Sequence, residues 1–338
     1  MDLSLNGLIL MAFLALGFVS CNNDDNYVDP IPDSDENIVE LATGEPQLEN
    51  LAAALQRAEL VTTLQGDGPF TVLAPTNEAF DDFLSDNGYA GLNDVPVEAL
   101  KQLLLNHVIR GRFSSVDFLA SRAGYTYTLA DATLNDDPDA KLNIFYEADD
   151  NIEFNDDAEI IQNGTNIGAS NGVVHMVDDV IDLPTVATFL EADPAFESLE
   201  DALDADGQPD FETILETPSN LAPAPFTVFA PINEAFTALG ELPSGDELTA
   251  VLQYHVITEN NILFSDITDG LESPATLQGD SLTFSKAGNV VDITDGSGVS
   301  NSNIIPQLAN IQAANGIIHG ITDVLLPNTD EDTNAAEQ

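Results

Sequence analysis

The sequence predicts two tandem globular domains, each a mixture of helices and strands arranged on the same plan. Three segments occur twice in the same order: residues 69–80 match 225–236, residues 103–109 match 251–257, and residues 171–181 match 315–325. The two copies lie roughly 150 residues apart, which is the size of a whole domain rather than of a solenoid repeat. A chain of 338 residues with 43% hydrophobic residues can form two packed cores.

The first repeated segment predicts a strand that leads directly into a helix. Residues 70–74 are β-branched and aromatic, which favours a strand, and Pro75 ends it. Residues 76–78, which include Asn77, supply the polar cap that begins a helix, and this helix turns Phe80 inward.

The second copy of this junction has Pro231 and Phe236 in the corresponding places. Ile232 stands where the first copy has a threonine, and an aliphatic side chain cannot accept a capping hydrogen bond. We therefore expect Asn233 to cap the second helix.

The second repeated segment has the apolar spacing of a helix that buries one face. In each copy a histidine falls within this apolar stripe, which consists of Leu100, Leu103, Leu104, His107 and Val108 in the first copy and of Leu248, Val251, Leu252, His255 and Val256 in the second. Both histidines are therefore expected on the buried face of a helix.

The third repeated segment predicts a tight turn followed by a strand. Asn171-Gly172 and Asn315-Gly316 are typical turn pairs, and each precedes a run of β-branched residues. Side chains alternate between the faces of a strand, so His175 shares a face with Val173 and Val177, and His319 takes the same place in the second copy.

All four histidines therefore occupy repeat-equivalent positions, and two interpretations are open. They could form one site per domain that binds a metal ion or acts as a base. Alternatively, each imidazole lies on an apolar face and hydrogen-bonds to the backbone, because a buried polar group needs a partner. No second histidine stands at the spacing of a metal-ligand pair, and this favours the structural interpretation.

Together, the Thr-Val-x-Ala-Pro-x-Asn-Glu-Ala-Phe junction, the Tyr254-His255 helix end and the Asn-Gly-x-x-His strand resemble the fasciclin domain. The resemblance covers residues 38–183 and 184–327. It implies an α+β fold in which each domain is a β-sandwich wedge with helices packed along one edge. It also implies a non-enzymatic role in adhesion at the cell surface or in the extracellular matrix.

The chain departs from the two motifs that integrins recognise in some animal relatives, Asp-Ile ahead of the Asn-Gly turn and Tyr-His. Asn166-Ile167 and Asn310-Ile311 stand at the first motif. At the second motif, the second domain keeps Tyr254-His255, but the first domain has Asn106-His107. These departures argue against an integrin-type contact, and a fold by itself does not specify a partner.

The charge of the chain excludes one class of partner. With 59 acidic and 7 basic residues, the net charge of −52 repels phosphate backbones, so nucleic acid is excluded and anionic membrane surfaces are disfavoured. Repulsion between carboxylates weakens when salt shortens the Debye length from about 10 Å at 0.1 M to about 3 Å at 1 M. We therefore expect the protein to fold best in salty surroundings, which suggests a marine or halophilic bacterium.

The N-terminal residues predict a secretory signal. Residues 8–19 form an apolar run too short to span a bilayer, and the run ends at Ser20-Cys21. This ending resembles a bacterial lipoprotein signal with Cys21 as the lipidated residue; an ordinary secretory signal with an incidental cysteine is the alternative. We expect a signal at residues 1–21, a flexible acidic tether at 22–37 and a disordered acidic tail at 328–338. The mature protein would be an outer-membrane or cell-surface lipoprotein, or otherwise periplasmic or extracellular.

Two other kinds of site have weaker support. The acidic clusters at residues 136–139, 149–150 and 156–157, and the run 204–210, could bind calcium, but a solvated surface is the favoured interpretation. Neither a His-Glu-x-x-His motif nor a phosphate-binding glycine loop is present in the sequence. We therefore predict no catalytic residue, metal or cofactor. The expected partner is a cell-surface or matrix protein or polysaccharide. The alternative is a surface module that binds calcium-dependently or binds a small ligand or a glycan, and a hydrolase is less favoured.

Overall fold

The architecture follows from a computed structural model that describes residues 31–134, 139–149, 151–297 and 301–328. Several predicted features lie outside these residues. They are the signal segment with Cys21, the tether as far as residue 30, residues 136–138 and 150 of the acidic clusters, and residues 329–338 of the tail.

The first domain combines helices with one curled sheet. Its helices are α1 (Ile38–Gly44), α2 (Glu49–Arg57), α3 (Val61–Leu64), α4 (Asn77–Asp86), α5 (Val97–Asn106) and α6 (Ser115–Ser121). Its strands are β1 (Phe70–Pro75), β2 (Val108–Arg110), β3 (Ala123–Asp131), β4 (Lys141–Ala148), β5 (Ile152–Phe154), β6 (Ala158–Glu159), β7 (Ile167–Ala169) and β8 (Gly172–Val177). The strands are ordered β6-β5-β4-β3-β2-β1-β8-β7 in the sheet.

The second domain repeats this plan with a divided sheet. Its helices are α7 (Val186–Ala192), α8 (Glu197–Leu203), α9 (Phe211–Leu215), α10 (Asn233–Leu239) and α11 (Asp246–Tyr254). Its strands are β9 (Phe226–Pro231), β10 (Val256–Ile257), β11 (Thr283–Ala287), β12 (Val290–Thr294), β13 (Asn301–Asn303), β14 (Ile311–Gln312) and β15 (Gly316–Ile321). One sheet has the order β10-β9-β15-β14 and the other β11-β12-β13. Short 3-10 turns lie at Pro46–Leu48, Leu92–Asp94, Pro194–Phe196 and Pro306–Leu308.

A pair of parallel strands forms the centre of each domain. β1 lies beside β8 with Leu73 opposite His175, and β9 lies beside β15 with Phe229 opposite His319. Parallel neighbours need a crossover connection, so most of each domain lies between its two central strands in the sequence. This topology places the first and third repeated segments side by side in space.

Alternate residues of the central strands enter two separate cores. Val72 of β1 packs with the helices, whereas Leu73 packs with the curled strands on the other face. In the second domain Val228 joins the helical core and Phe229 joins the core under β11 to β13. Helices on one face and strands on the other confirm the predicted α+β fold with a sandwich-like wedge.

The helical stripes end earlier than their apolar spacing predicts. α5 ends at Asn106, His107 is its C-cap, and Val108 already belongs to β2. The second copy behaves in the same way, with His255 as the C-cap of α11. The chain turns here because the next residues must pair with the central strand, and both the helix and the strand bury side chains in the same core.

Residues 31–37, which the sequence assigns to the flexible tether, are instead packed on the first domain. Ile31 is buried, the carbonyl oxygen of Glu36 accepts a hydrogen bond from the backbone N–H of Ser170 at 2.7 Å, and the Asn37 side chain caps α1. A Cβ atom on Gly168 would lie 1.8 Å from the carbonyl oxygen of Pro32, so this close approach requires glycine. Hydrophobic and capping contacts therefore override the acidic composition in this part of the segment.

Candidate functional site

The two histidines at the helix ends connect each α-helix to the end of its domain. The Nδ1 atom of His107 donates to the carbonyl oxygen of Leu103 at 2.8 Å, and its Nε2 atom accepts from the backbone N–H of Ile181 at 2.9 Å. His255 makes the same pair of contacts with Val251 at 2.8 Å and Leu325 at 2.9 Å. Because one partner is an acceptor and the other a donor, these bonds fix a neutral tautomer in which Nδ1 carries the proton.

The two strand histidines have the opposite tautomer. The backbone N–H of Asn166 donates to Nδ1 of His175 at 3.3 Å, and the Nε2 atom donates to the carbonyl oxygen of Phe113 at 2.9 Å. In the second domain, Asn310 donates to Nδ1 of His319 at 3.3 Å, and its Nε2 atom donates to Ile262 at 2.9 Å. Each ring therefore ties a central strand to two loops.

Burial keeps these imidazoles neutral. Desolvation lowers the pKa of His107, His255 and His319 to about 4, and the hydrogen bonds to backbone carbonyls offset only part of this shift. It also lowers the pKa of His175. Within the described residues, both ring nitrogens of every histidine have a backbone partner, so neither nitrogen is available to a metal ion or to a substrate proton.

The predicted cap Asn233 does not cap its own helix. Ile232 is the N-cap of α10 without a side-chain hydrogen bond, while the Oδ1 atom of Asn233 accepts from the backbone N–H of Ser198 at 2.9 Å, in the first turn of α8. Asn77 does the same for α2 through the N–H of Asn50 at 2.9 Å, and Thr76 caps α4. The prediction for Asn233 was wrong because the asparagine lies one residue inside its helix and reaches a neighbouring helix.

Asn171 and Asn315 each satisfy three backbone groups. The Oδ1 atom of Asn171 accepts from the N–H of Ile38 at 3.1 Å, and its Nδ2 atom donates to the carbonyl oxygens of Leu64 and Gly66 at 2.7 and 3.0 Å. Asn315 makes the equivalent bonds to Val186, Leu215 and Thr217, at 2.9, 2.6 and 3.0 Å. These side chains link the turn before the last central strand to the first helices of the domain.

Replacing Asn315 by alanine is expected to destabilise the second domain by about 3 kcal/mol, because three buried backbone groups lose their partner. Urea unfolding of the full chain at pH 7.5 measures this change. Asn87→Ala, at an exposed helix end, is the matched control and should cost little. Equal stability of Asn315→Ala and the wild type would contradict this account.

The remaining motif residues build the same framework. Pro75 and Pro231 end β1 and β9, and Phe80 and Phe236 pack in the helical cores. Tyr254 is fully buried, its hydroxyl donates to the carbonyl oxygen of Ser281 at 3.2 Å, and burial raises its pKa to about 12. The Tyr-His pair therefore faces the protein interior.

Two pairs of structurally important polar residues were not recognised from the sequence. Thr71 and Thr227 are completely buried on β1 and β9, and each hydroxyl donates to one loop carbonyl and accepts from a loop N–H. Asn166 and Asn310 adopt positive φ angles of 56° and 60°. The side chain of Asn166 accepts from the backbone N–H of Ser115 at the start of α6, and that of Asn310 accepts from Phe264 in the loop after β10. Their occurrence at the same place in both copies was the signal that could have revealed them.

Residues 168–172 match the Gly-x-Ser-x-Gly pattern of a nucleophile elbow. In the structure Ser170 lies in the two-residue turn between the antiparallel strands β7 and β8, not between a strand and a helix. The nearest histidine in sequence, His175, has both ring nitrogens bonded to the backbone. This run therefore lacks the geometry of a hydrolase site.

The described acidic residues do not assemble a metal site. Among the residues that the structure describes, no group of three or more His, Cys, Asp or Glu side chains is placed to hold a metal ion. Within the run 204–210, Asp210 instead caps α9 by accepting from the N–H and hydroxyl of Thr213 at 3.0 and 2.9 Å.

Carboxylates are nevertheless crowded where the two domains join. Desolvation, followed by repulsion from Asp179 and Asp182, raises the pKa of Asp157 to about 6. The folded state therefore binds more protons than the unfolded state between about pH 4 and pH 6, and this contribution to stability is lost as the pH rises through that range.

Asp157→Asn is expected to raise the melting temperature by a few degrees at pH 7.5 and to change it little at pH 4, because only the ionised carboxylate is repelled. Scanning calorimetry of the full chain at both pH values measures the effect. Asp206→Asn, an exposed substitution elsewhere, is the control. An increase in melting temperature that is equal at both pH values would contradict the electrostatic explanation.

Side chains of the two domains pack against each other where the domains meet. Tyr125 and Phe145 of the first domain pack into the helical core of the second, and the Tyr125 ring lies 5.4 Å from the Phe189 ring in an edge-on contact. The Tyr125 hydroxyl donates to Asp193 at 2.9 Å. The backbone N–H of Gln312 donates to the Asn143 side chain at 2.8 Å. These buried contacts favour a fixed arrangement of the pair.

No helix among the described residues is long and apolar enough to cross a membrane.

Comparisons with known proteins agree with this architecture. The family model described as "Fasciclin domain" matches residues 46–184 and 196–327. The chain is 32% identical over 307 residues to rabbit (Oryctolagus cuniculus) transforming growth factor-beta-induced protein ig-h3, covering 88% of this chain and 38% of that protein. It is 28% identical over 289 residues to human periostin, covering 80% of this chain and 30% of that protein. The chain thus spans well under half the length of these curated relatives.

A solved structure is also similar. A FAS1 domain pair from the insect cell adhesion molecule fasciclin I is 21% identical, with a TM-score of 0.44 over 82% of this chain and 94% of that chain. Because the family model covers most of the residues in two successive matches, the chain belongs to the fasciclin domain family and carries two tandem fasciclin domains.

Proposed function

We propose that the protein is a non-enzymatic adhesion or matrix-interaction protein that binds another macromolecule through its rigid domain pair. The observation that carries this proposal is the engagement of all four histidines by backbone groups. The histidines are the motif residues that could act as a catalytic base, and their ring nitrogens instead form hydrogen bonds that stabilise the fold. Membership in the fasciclin family supports the same class of function.

The contacts between the domains suit a binding role. Buried aromatic packing and the hydrogen bond from Tyr125 to Asp193 fix the orientation of the two domains relative to each other. A partner can therefore contact both domains at once with little loss of conformational entropy. The partner is a protein or polysaccharide of the cell surface or matrix. The N-terminal segment supports an anchor at Cys21, which would keep the pair at the outer surface of the cell.

Solid-phase binding of the full mature chain to a panel of matrix proteins and polysaccharides tests the function. We expect saturable binding to at least one partner, and weaker adhesion of a deletion strain. Absence of binding together with unchanged adhesion would overturn the proposal. A hydrolytic activity that disappears with His175→Gln while folding is intact would also overturn it.

A Cys21→Ser variant tests the anchor separately. If Cys21 is lipidated, the wild type partitions with membranes and the variant is released into the soluble fraction. Identical partitioning of the two proteins would favour the ordinary secretory signal.

A further inference from the structure

A cleft with a volume of about 540 Å³ lies between the two domains. The first domain contributes one wall and the second domain the other, and residues that line it include Arg110, Tyr127, Lys141, Leu263, Asn310 and Gln312. This volume lies within the range of about 300–1,000 Å³ that is usual for small-ligand sites. The bonds across the joint described above hold its walls together.

The position of Arg110 is unusual for this protein. The chain has 59 acidic residues and only 7 basic ones, so an arginine has many carboxylates available as partners. Arg57 donates to two backbone carbonyls, Lys286 does the same, and Arg122 and Lys141 face Asp149 and Asp131. Among the residues that the structure describes, Arg110 and Lys101 are the basic side chains without a hydrogen bond or salt bridge, and of these two only Arg110 lines the cleft, where it is exposed.

An exposed aromatic ring lies next to this guanidinium. Ile109 of β2 pairs with Thr128 of β3, and in an antiparallel ladder Arg110 then lies opposite Tyr127. Ile109 and Thr128 are buried, whereas their neighbours Arg110 and Tyr127, whose side chains alternate to the opposite side of their strands, are exposed. Tyr127 is 57% exposed, the highest value among the large apolar and aromatic side chains of the described residues.

The charged side chains in and beside the cleft determine which ligand charge it favours. Lys141 also lines it, although it pairs with Asp131, and Asp139 is the one carboxylate among the described lining residues. Beside the cleft, the hydrogen bond from Lys141 lowers the pKa of Asp131, and the charge of Lys101 lowers it further. Arg110 and Lys141 thus outnumber the single carboxylate among the residues that line the cleft, in a chain that is otherwise strongly acidic.

From this geometry we infer that the cleft binds an acidic oligosaccharide, with Arg110 on a sugar carboxylate and a pyranose ring stacked on Tyr127. Arginine matches a carboxylate with two parallel hydrogen bonds, and an exposed tyrosine ring offers an apolar face with a polar edge. The side-chain amide of Asn310, which is half-buried in the wall of the second domain, suits sugar hydroxyl groups. The inference rests on the proposed function, since it specifies the chemistry of one partner.

The structure favours a sugar over an acidic peptide. An extended peptide binds by adding a strand to an unpaired sheet edge, but β2, β3 and β4 are interior strands of their sheet. The edge strand β14 on the opposite wall has only two residues, and the backbone N–H of its Gln312 already donates to Asn143. A helical peptide needs a continuous apolar groove, whereas the cleft walls alternate polar and apolar groups. The net charge of −52 also disfavours densely charged polyanions. At 0.15 M salt the Debye length is about 8 Å, so a ligand in the cleft interacts mainly with the cationic side chains close to it.

Calorimetric titration of the full mature chain in 0.15 M NaCl tests the inference. The probes are a uronic acid tetrasaccharide, a neutral tetrasaccharide with the same linkage, and a triglutamate peptide. We expect the uronate to bind, the other two to bind at least tenfold more weakly, Arg110→Gln to reduce uronate affinity at least tenfold, and Tyr127→Ala to reduce it severalfold.

Arg122→Gln is the control, because Arg122 is also exposed but lies outside the cleft. Melting curves of all variants show whether the fold is intact. Absence of uronate binding, unchanged affinity in Arg110→Gln, or tighter binding of triglutamate would overturn the inference. Any of these results would leave the proposed adhesive function standing if the full chain still bound another matrix component in the solid-phase assay.

Discussion

Replacing His319 by alanine is expected to destabilise the second domain by about 4 kcal/mol at pH 8, and to lower its melting temperature by about 10 °C. The ring is fully buried, stacks on Phe229 at 5.6 Å, and bonds to the backbone of Asn310 and Ile262. Its removal leaves a cavity and two backbone groups without partners, and both effects favour the unfolded state.

The same substitution should have a characteristic pH dependence. The pKa of His319 is about 4 in the folded protein against 6.5 for an unperturbed histidine, so the unfolded state binds the additional proton between these values. The wild type therefore loses stability as the pH falls from about 6.5 towards 4, by as much as about 3 kcal/mol for this residue. His319→Ala cannot lose this contribution, and the difference between the two proteins should narrow in acid.

Chemical unfolding of the full chain at several pH values between 8 and 5 measures both effects. Gln307→Ala, an exposed substitution in the same domain, is the matched control and should leave stability unchanged at every pH. An unchanged melting temperature in His319→Ala would contradict the structural role of the ring. A large loss of stability in His319→Ala that does not change with pH would instead contradict the neutral state of the buried imidazole.

Repetition within the sequence predicted the fold better than it predicted individual contacts. Three segments found twice were sufficient for two domains, and strand and helix patterns placed Pro75, Phe80 and the Asn-Gly turns in the correct elements. Such patterns depend on neighbours along the chain, which a single sequence contains. The end of the helix at Asn106 was less predictable, because its apolar stripe continues without interruption into β2.

Contacts between distant segments could not be derived in this way. Nothing local to Asn233 shows that the N–H of Ser198 lacks a partner, since this depends on how α8 packs against α10. The pairing of Tyr125 with Asp193 and the exposure of Arg110 depend in the same way on the arrangement of the two domains. The candidate cleft therefore became visible only in three dimensions.

Gly172→Ala is expected to produce an equally large effect in the first domain. A Cβ atom at this position would lie 2.1 Å from the carbonyl oxygen of Phe70, which belongs to the neighbouring strand β1. Since backbone atoms of a central strand cannot move without breaking the ladder, we expect a loss of about 3–5 kcal/mol. Gly316→Ala in the second domain meets Phe226 at 2.6 Å and should also be destabilising, but less so.

Gly44→Ala is the control that separates this clash from the general effect of replacing glycine. Gly44 is the last residue of α1 and has no heavy atom within 4 Å of the added Cβ atom, so this variant should be neutral or slightly more stable. Urea unfolding of the full chain, followed by a probe in each domain, should show an earlier transition of the first domain in Gly172→Ala alone. If Gly172→Ala and Gly44→Ala unfolded at the same urea concentration, the close approach of β1 and β8 would not be what requires glycine here. Gly172 would then be required only for the turn, and the parallel strands β1 and β8 would be able to accommodate a side chain at this position.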